Sequence, residues 1–261
     1  MGFDPRGFIP EMWDFDADEG LFLVCAGVVS IVLLIPYYWQ LCRISALGSR
    51  LSLRAWLAVC PPLCLLLIYF VLQNYSDPDQ VRGHEDYVTL FMCGGAAWVW
   101  IAAAMLPLLG ISLRDDALER NNAAATLLAL GVMVANTVCY AMANIGRGPT
   151  IWTTIVPALM ASATLWIGLF AIQLIVGFSD TIALDRDLPT AVTLVVYLIA
   201  SSAILGWAAA GDWHDWPSTF SDFGLRASPV IAVTVAAMIA VAKTRPSREF
   251  TRRIFPKPKG R

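Results

Sequence analysis

Two histidines occur in the 261 residues, and each stands among carboxylates. His84 precedes Glu85 and Asp86. His214 lies between Asp212 and Asp215, with Asp222 a little further on. Imidazole with carboxylates is a ligand set that zinc and other divalent ions accept. Neither histidine has a partner at a ligand spacing such as His-x-x-x-His, so the expectation is a solvated loop surface with no metal and no other cofactor. Two arginines join the same region. Arg147 sits in Gly146-Arg147-Gly148-Pro149, where it could draw an anion to a helix start. The plainer expectation is a tight turn, with glycine permitting positive φ and proline setting the next element. Arg226 follows Asp222 by four residues, the spacing of a helical ion pair that carries a guanidinium into the membrane interface partly neutralised. Arg147, Asp212, His214, Asp215, Asp222 and Arg226 are therefore the candidate polar cluster.

The apolar stretches hold a second set. Asn136 and Asn144 are eight residues apart, about two helical turns, and so share a face. Ser201 and Ser202 fall at the corresponding depth of a later stretch. These four are expected to hydrogen-bond between helices, each bond contributing about 1 kcal/mol, or to line a narrow polar path. The six cysteines lie in or beside apolar stretches and read as small buried hydrophobes. Cys60 and Cys64 could face the same way on a helix, but two thiols without histidine make a poor metal site. Pro61-Pro62 between them predicts a kink, of the kind that can also mark a transporter binding site. No Ser/His/Asp arrangement, paired intramembrane Asp or His-Glu-x-x-His motif is present.

The elements that carry these residues follow from composition. Hydrophobic residues make up 58% of the chain and charged ones 15%, against about 25% charged in soluble domains. Mean hydropathy is +0.65. Seven stretches, near 21–39, 55–73, 87–111, 123–144, 151–177, 189–210 and 223–243, are long enough to cross a bilayer, which takes about 20 helical residues. The expected fold is an all-α, polytopic transmembrane bundle. An acidic segment 1–20 leads into three helices over 21–111, then a four-helix region over 112–243 and a basic tail, 244–261. The first twenty residues hold one Arg and six acidic residues, the reverse of a signal peptide's positive start. Fourteen of the 18 Lys and Arg residues fall on one side of the seven spans, in the 40–54, 112–122 and 178–188 loops and the tail. By the positive-inside rule that side is cytoplasmic and the N-terminus is outside. Trp39 and Trp56 then sit at the inner interface and Trp152, Trp213 and Trp216 at the outer one, where indole prefers to lie.

An internal similarity runs through the second half. Glu119-Arg120-Asn121, a span, Ala143-Asn144-Ile145-Gly146 and Pro149 parallel Asp185-Arg186-Asp187, a span, Ala209-Ala210-Gly211-Asp212 and Pro217. Two tandem parallel hairpins are expected, related by a pseudo-two-fold axis along the membrane normal. Gly110-Ile111-Ser112-Leu113-Arg114-Asp115-Asp116, Glu119-Arg120-Asn121-Asn122-Ala123-Ala124, Asn144-Ile145-Gly146-Arg147-Gly148-Pro149 and Gly211-Asp212-Trp213 together resemble the YjfL-like bacterial membrane proteins over residues 105–225. The resemblance implies a bacterial inner membrane, four helices in two hairpins and no established activity. The first two spans and the acidic start depart from the small members of that family.

Almost no charge lies inside the spans, while small residues are dense at Gly94-Gly95-Ala96-Ala97, Ala123-Ala124-Ala125 and Ala208-Ala209-Ala210-Gly211, which permits close helix approach. The expectation is a non-catalytic membrane subunit or scaffold, its partners being lipid and copies of itself or other membrane proteins. The alternatives are a small transporter or channel with an Asn/Ser path and, least favoured, an intramembrane enzyme. The short basic tail has no folded platform for nucleic acid.

Overall fold

The computed structural model describes residues 17–43, 51–79, 81–148 and 150–244. The acidic residues 1–16, residues 44–50 of the 40–54 loop, Gln80, Pro149 and the basic tail from 245 lie outside them. The helices are α1 (Ala17–Arg43), α2 (Leu51–Asn74), α3 (Glu85–Met105), α4 (Ala123–Ala143), α5 (Trp152–Val176), the short α6 (Phe178–Ala183), α7 (Leu188–Ala209), α8 (Trp216–Ala227) and α9 (Pro229–Thr244), with no strand among the described residues. Seven helical segments are long and apolar enough to cross a bilayer, the last being α8 and α9 together. With every backbone group of such a segment paired along its own helix, the chain is a multi-pass, all-α membrane protein.

The expected spans coincide with helices, but the last begins earlier than residue 223. Asp215 and Ser218 form a reciprocal capping box at Trp216, and Pro217 suits the first turn of a helix. Pro229 has no N–H to continue the ladder, and the segment breaks there into α8 and α9. Glu85 and Asp86 likewise belong to the first turn of α3 and not to a loop.

The core lies along α4, the most buried span. It packs most extensively on α7, and also on α2, α3 and α5. Glycines let the backbones close up. A Cβ at Gly131 would lie 2.7 Å from Val195, and one at Gly206 2.8 Å from Met142. α1 is the least buried span and leans chiefly on α3. The indoles of Trp100 and Trp166 are buried, and that of Trp98 donates to Ser162 Oγ at 2.9 Å. α5 packs on both α4 and α7, whereas α9 packs on α7 and α5 without a matching contact to α4. The two hairpins therefore do not follow a strict two-fold relation.

The Pro61-Pro62 pair is accommodated in a specific way. Its two missing N–H groups would have paired with the carbonyls four residues earlier, Leu57 and Ala58. The hydroxyl of Tyr37 donates to the Leu57 carbonyl at 2.7 Å, and that of Tyr38 donates to the Ala58 carbonyl at 3.1 Å. Two consecutive tyrosines of α1 thus replace two consecutive donors of α2. Beside the pair, Cys60 Sγ and Cys64 Sγ lie 3.9 Å apart, both buried and both free.

The face on which α9 ends carries the short connecting elements. α3 runs on through a 3₁₀ turn, Leu106–Leu109, to Gly110 at φ 76, and α5 stops at Gly177 at φ 68. A π-helical turn, Leu113–Glu119, fills most of the expected 112–122 loop. It is held by Asp116, which accepts from Ser112 N–H at 2.8 Å and pairs with Arg120 at 3.0 Å. Asn121 and Arg186, both at positive φ, each precede the N-cap of a long helix, Asn122 for α4 and Asp187 for α7. Asn122 also donates to the Ile182 carbonyl at 2.6 Å, tying the two connections together.

Candidate sites on the N-terminal face

The opposite face, on which α1 begins, gathers the candidate cluster. Two corners meet there, the α4–α5 turn and the α7–α8 turn. Arg147 N–H donates to Asp212 Oδ1 at 2.9 Å, and Trp213 N–H donates to the Arg147 carbonyl at 2.9 Å. Gly146 is required by proximity and not by φ, since a Cβ there would lie 2.3 Å from the Gly211 carbonyl oxygen. That corrects the expectation that the corner glycines serve a positive-φ turn, as the positive-φ glycines among the described residues are Gly83, Gly110 and Gly177. The guanidinium of Arg147 is already engaged. Its Nε lies 2.9 Å from Asp77 Oδ2 in the α2–α3 connection, and Asp77 is buried. Asp77, which the sequence reading passed over, is thus the partner that holds Arg147.

Asp212, His214, Asp222 and Arg226 line a single pocket of about 310 Å³, together with Thr219, Phe223, the end of α7 at Ala208 and Ala209, and Ala210 and Gly211 just after it. Thr219 Oγ1 is buried there without a hydrogen-bond partner. The expected Asp222–Arg226 ion pair does not form among the described residues. Arg226 turns back over the Trp207 ring, 5.7 Å from its centroid, into space that Gly211 leaves open. A cation over an indole face is attracted by the ring quadrupole, so the arginine finds a partner without the carboxylate. Asp215 is outside the pocket lining and caps α8. The Ser218 hydroxyl and N–H bonds, with His214 adjacent, hold its carboxyl below the usual aspartate range. Trp213 and Trp216 stack edge to face at 4.8 Å beside it.

A second pocket, about 250 Å³, opens on the same face between α1, α3 and the α4–α5 corner. Its lining includes Glu19, Asp79, His84, Tyr87, Phe91, Asn144 and Thr154. His84 is therefore separated from His214, and Glu85 and Asp86 are not part of the lining. Tyr87 donates to the Glu19 carboxylate at 3.2 Å. Glu19 had counted only as one charge of the acidic start. That α1 would set it against α3 is a matter of packing that no local pattern reveals.

The span residues go elsewhere. Asn136, Asn144, Ser201 and Ser202 are all buried. Asn136 Nδ2 donates across to the Trp98 carbonyl of α3 at 3.1 Å. Asn144 caps α4 and donates back to the Tyr140 carbonyl at 2.7 Å, and Ser202 donates back to the Ile199 carbonyl at 3.0 Å. Asn136 and Asn144 thus do not act as one face: the first joins two helices, the second closes its own helix beside the pocket.

Comparison with protein-family models, with curated proteins and with solved structures finds no match.

Proposed function

We propose that the chain is a non-catalytic subunit or scaffold of a bacterial inner membrane, associating through α1 with copies of itself or with another membrane protein. The observation that carries this reading is a contrast among glycines. Gly94, Gly95, Gly131, Gly168 and Gly206 each lie so close to a side chain of another helix that a Cβ would come within 3 Å of it. Gly20 and Gly27 of α1 meet nothing within 4 Å. They are seven apart, hence on one helical face, and that face also carries Val24 and Ile31, 63% and 60% exposed. Small residues in membrane helices permit close backbone approach to another helix, and these two have no such neighbour among the described residues.

Against the polar-path alternative stand the helix contacts of Asn136 Nδ2 and Ser202; in its favour stand Asn136 Oδ1 and Ser201 Oγ, buried without a hydrogen-bond partner. The orientation, with α1 entering from outside, rests on the basic bias of the loops. The paired N-caps, the positive-φ residues before them and the touching corners support reading 112–243 as a tandem hairpin, in keeping with the YjfL-like resemblance. Affinity capture of the full chain from native membranes in mild detergent tests the proposal. A defined homo-oligomer or a stoichiometric second protein is expected, and a lone single chain is the contrary result.

A further inference from the structure

We propose that Cys60 and Cys64 of α2 form a binding site for a soft monovalent metal ion, copper(I) or silver(I). The two residues are one helical turn apart and share a face. Their sulfurs lie 3.9 Å from each other, and both are free thiols. Both residues line one cleft of about 320 Å³, whose other walls are Trp56, Leu63 and Leu67 of α2 and Leu130 and Val134 of α4. None of those side chains ligates a metal, the indole N–H being a donor only, so the two thiols are the ligands that the lining offers. Trp56 and Leu63 are exposed, so the cleft opens on the outside of the bundle, where α2 meets lipid.

The number and softness of the ligands select the ion. Zinc in structural sites takes four ligands, and among the described residues no group of three or more His, Cys, Asp or Glu is poised to hold a metal. Copper(I) and silver(I) are soft, prefer thiolate sulfur and are commonly two-coordinate. A linear sulfur–metal–sulfur unit spans about 4.6 Å if each bond is about 2.3 Å, as for zinc and thiolate. From 3.9 Å a small χ1 rotation into the cleft reaches that span. Charge points the same way, since an ion within the bilayer is costly. As the monovalent ion enters, one thiol gives its proton to water and binds as thiolate, while the other binds as the neutral thiol. The occupied site then carries no net charge. The ligand turn is also held from outside: Tyr37 and Tyr38 fasten the carbonyls of Leu57 and Ala58, just before Cys60, so Pro61 and Pro62 do not leave it free to unwind.

The test uses the full chain in mild detergent, carrying Cys25→Ser, Cys42→Ser and Cys93→Ser to remove the exposed and half-buried thiols. Silver(I), or copper(I) kept reduced, is added in chloride-free buffer, and weakly held ion is removed by gel filtration. Elemental mass spectrometry of the eluted chain is expected to find one ion per chain, with one proton released on binding, and no retained zinc(II) in a parallel run. Cys60→Ser and Cys64→Ser, each added to this background, are expected to lose the ion. Elution profile and Tm report whether those variants are folded. X-ray absorption at the copper edge carries the test if they are not, because it reads the intact pair, and two sulfur neighbours are expected. No retained ion, retention that either serine variant leaves unchanged, or a copper shell of one sulfur or of nitrogen and oxygen overturns the proposal.

Discussion

Tyr37 and Tyr38 show how single residues set the geometry of an element. Each hydroxyl answers a carbonyl that a proline four residues on has left without its helical donor. Tyr37→Phe is expected to destabilise the protein by about 1 kcal/mol, the net value of such a bond within a membrane protein. In a Pro61→Ala background, where the restored backbone N–H can reach the Leu57 carbonyl, the same change should cost much less. Denaturant unfolding of the four proteins of that cycle in detergent gives the coupling, and strict additivity would sink the account. Asp215 makes a second case. Its bonds from Ser218 favour the ionised form, so its folded pKa lies below the unfolded one. The stability it lends to α8 is whole above the unfolded value and is lost as pH falls through the folded value. Amide exchange at Ser218 and Thr219 should therefore speed up below the ordinary aspartate range, beyond its intrinsic pH trend. Asp215→Ala should show fast exchange at all pH. The proline pair was legible in sequence, but the hydroxyls that answer its missing donors, within a helix that runs on through Leu51–Asn74, were not, since they arrive through space from another helix.

At the scale of elements, close approach is what the glycines encode. Gly146 lies against the Gly211 carbonyl, and backbone cannot swing aside as a side chain can. Gly146→Ala is expected to cost about 1–3 kcal/mol, as overpacking does, and to separate the two corners. Arg147 would then lose its Asp212 contact, visible as faster exchange at its amide. An unchanged Tm and amide pattern would contradict the reading. The spans themselves were legible because length and apolarity suffice to mark a bilayer crossing. The start of the last span was less so. The mixed run Trp216–Asp222 reads as loop until Asp215 and Ser218 are seen as a cap and Phe223 and Ala227 as the inward face of α8. The candidate cluster was half legible. Asp212, His214, Asp222 and Arg226 do share a pocket, because they follow one another around a single corner. Asp77, the partner of Arg147, comes from the distant α2–α3 connection and leaves no local pattern.

For the whole molecule, the contrast lies between a tightly sewn α4–α7 centre and a lightly held α1. The centre uses its glycines internally, closing α4 and α7 onto each other and onto their neighbours. α1 keeps two glycines on a face that nothing in the described chain covers. Changes on this face are expected to alter association and leave the fold alone. Gly27→Leu should leave Tm within about 1 °C, since surface changes away from packed features fall within about 0.5 kcal/mol. The same substitution at Gly131, against Val195, should lower it clearly. The most direct test is native mass spectrometry of the full chain released from its own membranes, wild type beside the Gly20→Leu, Gly27→Leu double variant. The account predicts a defined complex for the wild type and a single, folded chain for the variant. A wild type that flies as a lone chain, or a complex that the two leucines leave intact, would contradict it.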